Sequence, residues 1–261
     1  IAEGNPTFFR EIVFEDVHPL YGQTDIKGSS EARNLATKQD LALQLNHIEK
    51  VLKKLAAHSP LPILEQMNFT IAKFLCEIEE ELQVDTEKKI MNFLSVEIIP
   101  FFKYIRGRSD TFKEMVDEYY ELIDPNTGLV YKHRKDYDES VMLINKRLAS
   151  VLDRNQKEAQ NMHPHYFERF KTDGVEHNLY IGSAISKEKL FNKIYLNNLK
   201  LWQLQVICEM ENSYYRYKEK LPVSLDVASM ILAFSGSLSL RFRMDEKRFD
   251  VDGTYNARYE V

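Results

Sequence analysis

Two cysteines, nine glycines and eight prolines in 261 residues leave several constructions without material. So few cysteines cannot form the disulfide framework of a small secreted domain. Cys76 and Cys208 both fall within helical apolar patterns, which predicts two buried thiols in a reducing compartment and a cytoplasmic location. The shortage of glycine and proline excludes long flexible linkers and low-complexity tails. No apolar run approaches the ~20 residues that span a bilayer, and no charged-then-apolar leader with a cleavage site is present. There is no Gly-x-Ser-x-Gly elbow, no phosphate-binding loop of the Walker type, no dinucleotide glycine pattern and no Cys-x-x-Cys. A net charge of −5 gives no global attraction to nucleic acid or to anionic membrane.

What remains is ordinary globular material, 44% apolar and 29% charged, enough for one large domain or two small ones. The chain starts at Ile1 and stops at Val261 while an alternating pattern is still running, so it reads as a piece of a longer polypeptide. Residues 1–29 read as an irregular opening segment followed by a loop, punctuated by Pro19, Gly22 and Gly28. Residues 30–161 carry the helical period. Leu41, Leu45, Ile48, Leu52 and Leu55 share one face, and Leu64, Met67, Ile71, Phe74, Ile78 and Leu82 share another. A third helix runs through Phe93 toward Pro100, and Ser109 or Asp110 caps a fourth. "DPNTG" is a turn, and a fifth helix covers 136–161.

Residues 162–261 change character. Asp173-Gly174 separates two aromatic and β-branched runs, a hairpin signal. A long helix is expected over 186–220, ended by Pro222, and "VSLDVASMILAF" reads as another short helix. In "SLSLRFRM", Leu238, Leu240, Phe242 and Met244 alternate with polar residues, as in a strand with one buried face. The expected fold is α+β and predominantly helical: a helical bundle with a small antiparallel sheet built from C-terminal hairpins, packed on the bundle as one unit.

Residues 250–254, DVDGT, match the string that opens the active site of haloacid-dehalogenase-type phosphatases. The surroundings refuse that role. The nucleophilic Asp of those enzymes ends a buried apolar strand, whereas "MDEKRF" precedes Asp250, and only nine residues follow Asp252. A calcium loop fails as well, since Gly253 falls at position 4 instead of 6 and no Glu stands at 12. Asp252-Gly253 suits a tight hairpin turn, with Tyr255, Ala257, Tyr259 and Val261 on one side of the strand after it.

Three constellations could hold a ligand. Lys27, Gly28, Ser29, Ser30 and Arg33 lead into the first helix, where free N–H groups, the dipole and two cations suit phosphate or carboxylate. The plainer reading is a serine cap with an exposed arginine. Arg241 and Arg243, with Arg258, could present guanidinium groups from the final hairpin, against a solvated face balanced by Asp245, Glu246 and Asp250. His163 and His165, two apart with Glu168 nearby, could share a metal, though a turn entering a hairpin is the plainer reading. No metal and no cofactor is expected.

"FEDVHPLYGQTDIKGSSEARN", "PHYFERFKTDGVEHNLYIG" and "SLRFRMDEKRFDVDGTYNARYEV" together resemble an uncharacterised region of long bacterial proteins of the Bacteroidetes type, usually described as GAF-domain-containing. The resemblance implies a cytoplasmic regulatory or sensory setting and carries no catalytic residue. The helix-rich middle does not suit the GAF domain itself, so the chain resembles a companion region. The expected function is a non-catalytic regulatory or interaction module of a larger cytosolic bacterial protein. Its partners would be other domains of that protein or a second copy in a homodimer, with neither nucleic acid nor membrane. The alternative is a receptor or enzyme for a small anion, using residues 25–33.

Overall fold

A computed structural model describes residues 12–58, 61–80, 84–186, 190–234, 236–243 and 248–251. The fold is α+β and predominantly helical, with a small antiparallel sheet. Two compact units compose it, one of residues 28–139 and one of residues 1–27 with 140–261. The helical unit is therefore a contiguous insertion into the chain of the other, and the division falls at 139–140 instead of 161–162.

The helical unit holds α1 (Ser29–His58), α2 (Pro62–Glu80), α3 (Val84–Phe93), α4 (Ile99–Arg106), α5 (Asp110–Glu121) and the first turns of α6 (His133–Met162). The stripes read from the sequence form its core: Leu45, Ile48 and Leu52 of α1 and Leu64, Ile71 and Ile78 of α2 are buried together. Leu82 lies outside the described residues. Between α3 and α4 the backbone does not break. Residues Leu94–Ile98 form one wide π turn, and Pro100 sits in the first turn of α4, where a missing N–H costs least. Two side chains of α1, one turn apart, order the segment that leads into α6. Gln44 bonds Tyr119 Oη (3.0 Å), Gly128 O (3.3 Å) and Val130 N (3.1 Å). Asp40, fully buried, accepts from the N–H groups of Lys132, His133 and Arg134 and from Arg134 Nε, and so caps α6 from outside its own sequence.

The second unit is built on β1 (Ile12–Lys27), the stretch expected to be an irregular opening segment and loop. This is a correction, and Pro19 and Gly22 explain the misreading. From Leu20 onward the burial of β1 alternates, and the strand pairs on both sides. On one side lies β3 (Val175–Gly182), itself paired with β2 (Tyr166–Lys171). On the other side β4 (Asp226–Ala233) and β5 (Leu238–Arg243) follow one another along β1, and β6 (Arg248–Val251) extends from β5. The C-terminal strands alone do not make the sheet; its centre is N-terminal.

Pro19 cannot donate to a ladder, and the partner is interrupted opposite it. Ala233 pairs with Leu20 and Leu238 with Val17, so neither β4 nor β5 pairs with His18 or Pro19. Asp16, at φ 57°, accompanies the bulge between Phe14 and Val17. The stretch expected as a short helix after Pro222 is instead β4. Leu225 and Val227 are buried while Asp226 and Ala228 are exposed, a period of two, and pairing with β1 decides between helix and strand for an ambiguous run.

The long helix α7 (Lys193–Tyr215) contacts β1 and β4 and is shorter than the predicted 186–220. Asn192 begins it, accepting from Ile194 N–H at 2.9 Å.

Candidate functional site

Of the residues expected to bind an anion, Ser30 and Arg33 line a cavity of about 420 Å³ in the helical unit, with Asn34, Thr37, Glu87 and Arg134. Gly28 takes φ 63° and accepts the first helical bond, from Ala32 N–H. Ser29 uses its carbonyl to receive Tyr137 Oη (3.1 Å), and Lys27 is the exposed last residue of β1. The guanidinium of Arg134 is committed, donating to Asp40 (3.1 Å), Glu87 (3.4 Å) and Val130 O (2.8 Å). Two carboxylates therefore offset two guanidinium groups here, and an incoming phosphate would meet Glu87. The chemistry is that of a salt-bridged helix cap.

Arg241 is half-buried on β5, level with Val13 on one side and Asp250 on the other. The backbone of Arg243 pairs with that of Arg248. Arg258 and the Asp252-Gly253 turn lie outside the described residues.

His163 is fully buried and stacks on Tyr195, ring centroids 4.7 Å apart. His165 has both ring nitrogens engaged, Nε2 with Gln156 (2.9 Å) and Nδ1 with His163 O (2.8 Å). Burial holds its pKa below the usual histidine value. Glu168 accepts from Tyr166 Oη. Among the described residues no three His, Cys, Asp or Glu side chains stand together in a metal-holding group.

A site that the sequence did not reveal lies between α6 and the end of α7. Lys146, Arg147, Ser150, Arg154, Ser213 and Tyr217 are among the residues around a cavity of about 390 Å³. Arg147 is held in place without a carboxylate: its Nε donates to Ser213 O (2.8 Å) and its guanidinium lies 4.9 Å from the Tyr217 ring centre. Among the described residues its two terminal nitrogens have no partner, which leaves the fork that phosphate and carboxylate fit. Arg154, beside it, pairs with Glu209. In sequence these residues are only the charged face of a helix; Ser213 and Tyr217 arrive from elsewhere.

The other feature is the outer face of α7. Its buried side is Leu199, Trp202, Val206 and Met210, yet the opposite side is apolar too. Ile194, Leu201, Leu204 and Tyr215 are 59%, 61%, 52% and 50% exposed, and Cys208 is exposed among them. Both cysteines were expected to be buried. Cys76 stands outside the Phe74–Ile78 stripe of α2, and Cys208 belongs to this outer face. At 100° per residue the five side chains of α7 fall within one narrow band.

Comparison with family models, curated proteins and solved structures returns no match. Among the described residues no helix is long and apolar enough to cross a membrane.

Proposed function

We propose that the chain is a non-catalytic interaction module of a larger cytosolic bacterial protein, in a regulatory or sensory setting, and that it acts through the outer face of α7. The observation that carries the reading is the second apolar side of α7, five side chains in one band with nothing of the chain's described residues burying them. Two buried titratable groups support it, because each holds the chain together. His165 bridges Gln156 and a carbonyl, and Asp40 caps a helix. The regulatory setting is what the resemblance to regions of GAF-domain-containing proteins implies.

The test is a photo-crosslinking residue in place of Leu204 in the intact protein, with the exposed Glu158 of α6 as control position. One adduct of defined mass at 204, absent at 158, is the expected result. Equal labelling at the two positions would overturn the reading.

A second reading, a receptor for a small anion, is favoured by Arg147 alone, anchored and without a carboxylate among the described residues. Inorganic phosphate at 100 times its Kd would then add about 2.7 kcal/mol to stability. The melting shift should vanish in Arg147→Ala; no shift with phosphate, pyrophosphate or citrate removes this reading.

A further inference from the structure

Resting on the reading of α7 as an interaction face, we propose that its occupant is a second copy of this chain, laid antiparallel along the same helix. Ile194, Leu201, Cys208 and Tyr215 recur every seven residues, with Leu204 between. That spacing keeps a stripe on one side of a straight helix with a drift of only ~20° per heptad, the requirement for two helices to pack along their length. The 23 residues of α7 make a rod about 35 Å long.

The charges select the partner and its direction. Lys193, Lys200 and Glu211 lie on one flank of the stripe, the lysines toward the N-terminal end and the glutamate toward the C-terminal end. The other flank carries Asn198, Gln205 and Asn212, and beyond them Glu209, which is paired with Arg154 and Asn155 of its own chain. Two antiparallel copies related by a two-fold axis bring like flanks together with direction reversed, so the lysines of each meet Glu211 of its partner. A parallel pair instead sets the lysine flank against one whose carboxylate, Glu209, is already paired within its own chain. Among the described residues none of the three forms an ion pair within its own chain, so each is available to a partner. The surface is complementary to itself, and a different protein would need to reproduce the same pattern. An interface of one helix per copy belongs to the small class, below ~1,200 Å², which gives a reversible dimer dependent on concentration.

The test measures mass and direction together. Sedimentation should show the intact chain passing from monomer to dimer with rising concentration. Leu201→Glu with Leu204→Glu should remain monomeric and melt as the parent does, since both side chains are exposed in the single chain. In a Cys76→Ser, Cys208→Ser background, a spin label on Leu204→Cys should lie close to its counterpart in the partner. A label on Ile194→Cys should lie about 30 Å from its own, because it stands ten residues from the middle of the rod in each copy. Short distances at both positions mean a parallel pair and overturn the proposal. So does a chain that stays monomeric into the millimolar range and shows no dipolar coupling. A crosslink from position 204 to a different protein would overturn the second copy while leaving the interaction module standing.

Discussion

Burial keeps His177 neutral across the range in which a histidine ordinarily titrates. The ring is 1% exposed and its pKa is pushed down to about 4, because no counter-charge offsets the loss of water. Gln203 Nε2 donates to His177 Nε2 at 3.3 Å, which requires that nitrogen to be deprotonated. Gly22 makes room: a Cβ there would stand 2.5 Å from His177 Cε1, and this is why β1 tolerates a glycine at its centre. The unfolded chain protonates this histidine near pH 6.5 and the folded chain only near 4, so between those values the unfolded state binds more protons. Stability from this group is complete above about pH 6.5 and declines as the pH falls toward 4, by ~3 kcal/mol over the window. Urea unfolding at several pH values should show that slope in the parent and a shallower one in His177→Met, where the buried His165 keeps its own smaller share. An unchanged slope would mean that other groups carry it.

At the scale of elements, the helices were legible wherever an apolar stripe ran for several turns, as in α1 and α2. Strands were legible only where the chain supplied its own alternation, as in β5. β1 and β4 were not, for a physical reason: each is specified by partners far away in sequence. Gln23 pairs with Glu176 and Met230, and no local window contains those residues. The Asp173-Gly174 hairpin was legible, but its glycine is needed for a reason that turn rules do not supply. Of the described glycines only Gly28 and Gly128 take positive φ, so Gly174 is not held by backbone conformation. A Cβ there would stand 2.0 Å from Thr24 O and 2.6 Å from Asp25 Cα, both backbone atoms of β1. Gly174→Ala must therefore displace the central strand, at a cost of about 1–3 kcal/mol. Gly236→Ala, with nothing within 4 Å of the added carbon, should change the melting temperature little. Equal effects of the two would show that the hairpin gives way instead of β1.

At the scale of the molecule, the candidate sites separate by how many elements build them. Ser30 and Arg33 were legible because a helix start is a local event, yet what surrounds them was not, since Glu87 and Arg134 come from two other helices. The Arg147 cavity and the outer face of α7 were missed for the same reason, as exposure depends on what packs behind. The division into units was hidden too, because one of them is discontinuous and closes only when β1 meets strands from the other end of the chain. That division has a consequence that can be measured. Asp40 and its four bonds lie wholly within residues 28–139, as does the apolar cluster around Leu45 and Ile71. Asp40→Ala strands the N–H groups at the start of α6 and leaves Arg134 only the weaker contact with Glu87, a loss of about 3–5 kcal/mol. Asp40→Asn retains one acceptor oxygen and should lose less. If the two units open separately, hydrogen exchange in the Ala variant will quicken across α1, α2 and α5 while the amides of β1 and β3 remain slow. Equal acceleration in β3 would show instead that the chain unfolds as one cooperative body, with the cap of α6 supporting the sheet as well as the helices.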